Sequence, residues 1–153
     1  MKDEKNAQNR ILHVACVKYA EKNRGVEQQM AWEQRAARSL GVAWDVELWS
    51  ISQPLFDVSK KIPKFMSFFF FRRLYFFLMI LFSTRKYQII IYRYIPLDIF
   101  SVFLPKMIAN KMICICHTKT DNYFKIQEGW PSEFISCLDA LLGKFLFKRV
   151  KMV

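Results

Sequence analysis

The residues best equipped for chemistry in this sequence stand at the ends of two apolar runs. Arg93 closes IIIYR, and His117 closes MICICH, which also holds Cys114 and Cys116. Histidine can hold or move a proton near neutral pH, so His117 qualifies as a general base or as a partner for a substrate phosphate or hydroxyl. A cap on the end of a strand is the competing role for it. Arg93 qualifies as an anion partner, because a guanidinium pairs bidentately with phosphate or carboxylate. Two cysteines spaced two apart on a strand face the same way, which invites a metal ion. A tetrahedral zinc site, however, draws about four ligands, usually from two such pairs. With one pair present, no metal is expected and the cysteines read as buried apolar residues. His13 lies inside an apolar run and reads as a core histidine. No Ser-His-Asp order, nucleophile elbow or P-loop occurs.

These residues acquire meaning from the elements that carry them. Gln88 to Tyr92 and Met112 to Cys116 show no polar alternation, as strands buried on both faces of a parallel sheet require. Between them, Ile99, Val102, Phe103, Lys106 and Met107 fall on one side of a predicted helix. Strand, helix and strand form a right-handed βαβ unit, and ligands gather at its strand ends, near Arg93 and His117. Ile11 to Val17 is a further buried strand. A turn ending at Gly25 leads into a helix with Val26, Met30, Ala37 and Leu40 on one face, stopped by Gly41. That helix opens towards the strand end, a geometry suited to anions, although no G-x-G-x-x-G is present. Trp44 to Ile51 reads as a strand with a partly wet face, since Asp45 and Glu47 alternate with Val46 and Leu48. A last helix runs from Ser132 to Phe147 with Phe134, Ile135, Leu138, Leu141, Leu142 and Phe145 on its stripe, and Val150 to Val153 begin a strand. The expected fold is α/β: a Rossmann-like, mostly parallel sheet of at least four strands with helices on both faces. Residues 1–10 form a polar leader, and 11–153 form one domain that is unfinished at its C-terminus.

The net charge is +11, and residues 51–110 hold nine basic groups against two acidic ones. A basic centre interleaved with phenylalanine points to a membrane surface rather than to nucleic acid, for which no recognition motif is present. Lys60 to Phe82 reads first as a helix covering the sheet, and as a basic amphipathic one whose other side can touch anionic lipid, with Lys61, Lys64, Phe68, Arg72 and Tyr75 on one side. Phe70, Leu74, Phe77 and Leu81 lie on the other. Two arginines at its centre cost roughly 2.5–3.5 kcal/mol each on insertion, which argues against a membrane span. Lys61, Lys64, Arg72 and Arg73 are the expected contacts with an anionic membrane surface. The four cysteines form no disulfide framework and no signal peptide is evident, so a cytoplasmic chain, peripheral on the inner face of the membrane, is expected.

Three stretches together resemble the N-terminal domain of glycosyltransferase family 4-like enzymes. They are Ile11 to Val17 followed by Arg24-Gly25-Val26-Glu27-Gln28, then Tyr87 to Tyr94 with Pro96, then Ile113 to Thr118. The likeness runs from about Ile11 to Val153. It implies the GT-B arrangement, in which this domain handles a polysaccharide or lipid-linked acceptor and a separate C-terminal half binds the nucleotide-sugar. It also implies that Gly25, Arg93, His117 and Thr118 line the cleft, with His117 catalytic, and that no cofactor is needed. The family usually shows a glycine pair where this chain has Arg24-Gly25. Without the donor half, the chain is expected to be inactive alone. The alternative from another class is a non-enzymatic Rossmann or flavodoxin-like module that recruits a membrane or partner through its basic helix.

Overall fold

The computed structural model describes residues 10–18, 24–50, 59–94, 97–115 and 132–152. Six strands form one sheet: β1 (Ile11–Cys16), β2 (Trp44–Ser50), β3 (Ser59–Lys61), β4 (Ile89–Arg93), β5 (Met112–Ile115) and β6 (Lys151–Met152). Their order is β3-β2-β1-β4-β5-β6, and every neighbouring pair is parallel. The architecture is therefore α/β and Rossmann-like. Chain direction across the sheet reverses between β1 and β4, the place where a doubly wound sheet opens a crevice at its carboxyl edge.

Both faces of the sheet are packed, which is why β1 shows no polar alternation and is buried beyond Ile11. On one face, Leu12, Val14, Cys16, Ile90, Tyr92, Met112 and Cys114 meet Phe76, Ile80, Ile108, Ile135 and Leu146. Those five come from α2 (Phe69–Ser83), α3 (Lys106–Ala109) and α4 (Ser132–Phe147). On the other face, Ala15, Val17, Val46 and Leu48 pack on Met30 and Ala31 of α1 (Arg24–Ser39). Each such apolar side chain, fully buried, contributes about 1.5–3 kcal/mol. The end of α1 matches its sequence. Gly41 sits at φ 68°, and the Val42 N–H reaches the Ala37 carbonyl at 2.9 Å, the closing bond of a Schellman motif.

Three expectations are corrected. First, the single helix over Lys60 to Phe82 is divided into β3, a 3₁₀ turn over Lys64–Ser67, and α2. Pro63 lacks an N–H and forces the preceding residue into an extended state, so Ile62 continues the sheet and donates to the Ser50 carbonyl at 2.8 Å. Lys61 and Lys64 therefore precede the helix.

Second, α2 turns a different side inward. Its buried stripe is Arg72, Phe76 and Ile80, spaced by four, together with Arg73, while Phe70 and Phe71 are exposed. Third, the helix expected between β4 and β5 is reduced to a 3₁₀ turn at Ser101–Phe103 and the four-residue α3 after Pro105. Leu104, Ile108 and Ala109 are buried there, whereas Ile99, Phe103 and Met107 face outward. Arg149, at the end of α4, holds this connection by donating to the carbonyls of Val102 and, at 2.6 Å, Leu104. Helix α4 has its expected bounds, with its inward stripe shifted to Ile135, Asp139 and Leu146.

Candidate functional site

The crevice implied by the sheet lies at the carboxyl ends of β1 and β4, and Arg93 is the last residue of β4. Strand alternation sends Tyr92 into the three-helix core and Arg93 to the α1 face, beside β1. There the Arg93 Nε–H donates to His13 Nε2 at 3.3 Å. With Nε2 accepting, the neutral imidazole carries its proton on Nδ1, which lies 2.6 Å from Glu33 Oε2 on α1. Trp44 closes over the imidazole edge-on, with ring centroids 6.2 Å apart. Glu33, His13 and Arg93 thus form a chain from helix to strand to strand end. Arg93 is 7% exposed, and among the described residues its buried Nη2 has no hydrogen-bond partner. Burial lowers the guanidinium pKa from its usual value, and the charge of Glu33 works in the opposite direction. A buried cation with an unused donor is chemically an anion acceptor.

The loop after β4 is held from the other face. Tyr92 donates its hydroxyl to Asp98, and burial, then the Asp98 charge, pushes its phenol pKa well up. Asp139 of α4 accepts the Tyr94 hydroxyl at 2.5 Å and the Leu97 N–H at 2.6 Å. Leu97 has φ 57°, a left-handed conformation that costs a non-glycine residue about 1–2 kcal/mol. Two bonds to a carboxylate are ample to maintain it. On the β1 side, the Ser50 hydroxyl donates to the Lys18 carbonyl at 3.3 Å, tying the ends of β1 and β2 together.

The other sequence candidates fall differently. Gly25 is the second residue of α1 rather than part of the turn before it, and a Cβ there would meet nothing within 4 Å. Glu27, fully buried in the first turn, already puts an anion at that helix N-terminus, which lessens its appeal for phosphate. Lys61 and Lys64 are exposed. Arg72 and Arg73 are each 1% exposed, so they are corrected from membrane-surface residues to interior ones. The cause is the register of α2, which puts Arg72 on the stripe of Phe76 and Ile80. His117 and Thr118 lie outside the described residues.

Sequence reasoning did not foresee the Glu33–His13–Arg93 chain. A signal existed: a histidine within a buried strand needs polar partners, and the covering helix RGVEQQMAWEQRAARS offers only Glu27 and Glu33 as carboxylates. Among the described residues, no three of His, Cys, Asp and Glu gather as a metal site would require. No helix among them is long and apolar enough to cross a membrane. No protein family matches the chain, nor does any curated protein or solved structure.

Proposed function

We propose that this chain is the acceptor-side domain of a GT-B-type glycosyltransferase, and that Arg93 receives an anionic oxygen of the acceptor, such as the phosphate of a lipid-linked sugar. The observation that carries this reading is the buried Arg93 guanidinium, with Nη2 unused, at the strand end beside the reversal of the sheet. The order and spacing of the three glycosyltransferase-like stretches support it. His13 and Glu33 orient the guanidinium, and an acceptor held by its phosphate presents its hydroxyl in a defined place. Such orientation is worth several kcal/mol of barrier once a donor is opposite. In that arrangement the donor is held by a C-terminal half, and His117 is the candidate base. Titration with farnesyl diphosphate, a soluble stand-in for a lipid-linked diphosphate, tests the reading. Arg93→Gln should weaken binding about tenfold or more, as loss of a hydrogen-bonded charge predicts. Unchanged affinity in a variant that melts like the parent would refute it.

Peripheral contact with an anionic membrane belongs to the same proposal, and one observation favours it. Phe65, Phe68, Phe70 and Phe71 are all at least 51% exposed, next to the exposed Lys61 and Lys64. Lys61 ends β3 as Arg93 ends β4, and in a parallel sheet both ends point to one edge. A lipid-linked acceptor and a membrane would then approach from the same side. With Arg72 and Arg73 buried, electrostatics supply about 1 kcal/mol for each of the two lysines, and phenylalanine insertion supplies the rest. Flotation with anionic liposomes should be reduced more by Phe68→Ser with Phe71→Ser than by 0.5 M salt, a concentration that screens exposed charges. The opposite ranking would refute the insertion.

A further inference from the structure

The opposite edge of the sheet carries a second basic feature that the acceptor reading does not use. A groove of about 860 Å³ opens at the amino ends of β1, β2, β4 and β5. Five cations line it, from four segments: Arg10 before β1, Arg38 in the last turn of α1, Arg85 and Lys86 after α2, and Lys111 before β5. Its carboxylate, Asp45, is already engaged, with Arg10 Nε at 3.1 Å and the Tyr87 hydroxyl at 2.9 Å. The ring of Tyr87 also lies under the Arg10 guanidinium, 5.8 Å from centroid to Cζ, which fixes that corner of the groove. Lys111 is anchored through its Nζ to the Tyr87 carbonyl at 3.2 Å.

Helix dipoles account for part of this. Arg38, Arg85 and Lys86 sit at helix C-termini, where a cation gains about 0.3–1 kcal/mol. That effect is satisfied by side chains spread into solvent, one helix end at a time. It gives no reason for Arg10, which precedes a strand, nor for cations from four segments sharing one concavity. Like charges held there repel, and a concave low-dielectric wall concentrates their field on whatever enters. The small, open rim of Gly41 and Ala43 leaves room for it. The volume exceeds what one phosphate fills and falls in the range of sites for nucleotide-sized ligands.

We propose that this amino-edge groove binds a ligand carrying two or more phosphate groups, held by Arg38, Arg85, Lys86 and Lys111, with Gln88 on its rim. It is distinct from the Arg93 crevice, since the six residues of β1 separate the two edges by roughly 20 Å. The ligand is either a soluble polyphosphate compound or a phosphorylated lipid headgroup. Calorimetric titration with sodium tripolyphosphate tests for the first, and co-sedimentation with phosphatidylcholine vesicles containing phosphatidylinositol bisphosphate tests for the second.

Arg85 and Lys86 are exposed, so Arg85→Ser with Lys86→Ser should leave the protein folded and lower the melting temperature by only a few degrees. Saturable binding of at least one probe is expected, weakened about tenfold or more in that double variant. Tripolyphosphate binding should survive Lys61→Ser with Lys64→Ser, and the vesicle comparison is made in that background, which removes the lysines of the proposed membrane contact. Binding of tripolyphosphate alone would assign a soluble ligand, and binding of the vesicles alone a headgroup. Failure of both probes to saturate below millimolar concentration would overturn the proposal. So would equal weakening of tripolyphosphate binding by the Lys61 and Lys64 variant, which would reveal only diffuse positive charge.

Discussion

Replacing Asp139 by alanine should cost this protein a large part of its stability, and the cost can be worked from its contacts. The carboxylate is 5% exposed and accepts hydrogen bonds from the Tyr94 hydroxyl at 2.5 Å and the Leu97 N–H at 2.6 Å. Hydrogen bonds to charged groups contribute about 1.5–3 kcal/mol each, and the buried Leu97 N–H would lose its carboxylate acceptor. Sharing one acceptor makes the two less than additive. Relaxation of Leu97 from φ 57° returns up to about 1–2 kcal/mol. The net expectation for Asp139→Ala is a loss of about 3 kcal/mol, against a total of about 5–15 kcal/mol for an ordinary domain. Asp139→Asn keeps an oxygen acceptor and should lose about 1 kcal/mol. Urea denaturation followed by circular dichroism reads both as shifts of midpoint at constant m-value. An alanine variant within about 0.5 kcal/mol of the parent would show that Asp139 does not hold the loop after β4, and would refute the reasoning.

Three further outcomes are expected. Gly41→Ala should lower stability by about 1 kcal/mol through backbone strain alone, because φ is 68° while a Cβ would meet nothing within 4 Å; an unchanged melting temperature would contradict this. Burial, then the hydrogen bond and charge of Asp45, hold the Tyr87 phenol up at about 12 against 10.0 unfolded. The folded state keeps that proton longer, so its contribution is complete below pH 10 and disappears between pH 10 and about 12. Tyr87→Phe should flatten the alkaline fall in melting temperature over that window. The chain alone should turn over no nucleotide-sugar in a transfer assay, since the proposed donor contacts lie in a separate half; measurable turnover would sink that part of the functional proposal.

Much of the sheet was legible because burial on both faces leaves an unbroken apolar run. Ile11 to Val17, Gln88 to Tyr92 and Met112 to Cys116 each coincide with a strand within a residue or two. The C-terminal end of α1 was legible because Gly41 permits a conformation that other residues resist. The bounds of α4 were legible from a helix-forming run ending in basic residues. Strand β3 was not, since three residues, Ser59–Lys61, carry no periodicity of their own.

Which side each helix buries was also beyond the sequence. In FFFRRLYFFLMILFS apolar residues occupy every direction, so no stripe identifies the core, and packing chose Arg72, Phe76 and Ile80. The same holds for Ile135, Asp139 and Leu146 in α4, where neighbouring leucines offered an equally apolar side. The Arg93 site divides along that line. Local sequence determined that an arginine would end a buried strand, because apolar runs and strand ends are local properties. Only the tertiary structure decided that His13, 80 residues away, and Glu33 would meet it, because parallel pairing of β1 with β4 and the docking of α1 are long-range events.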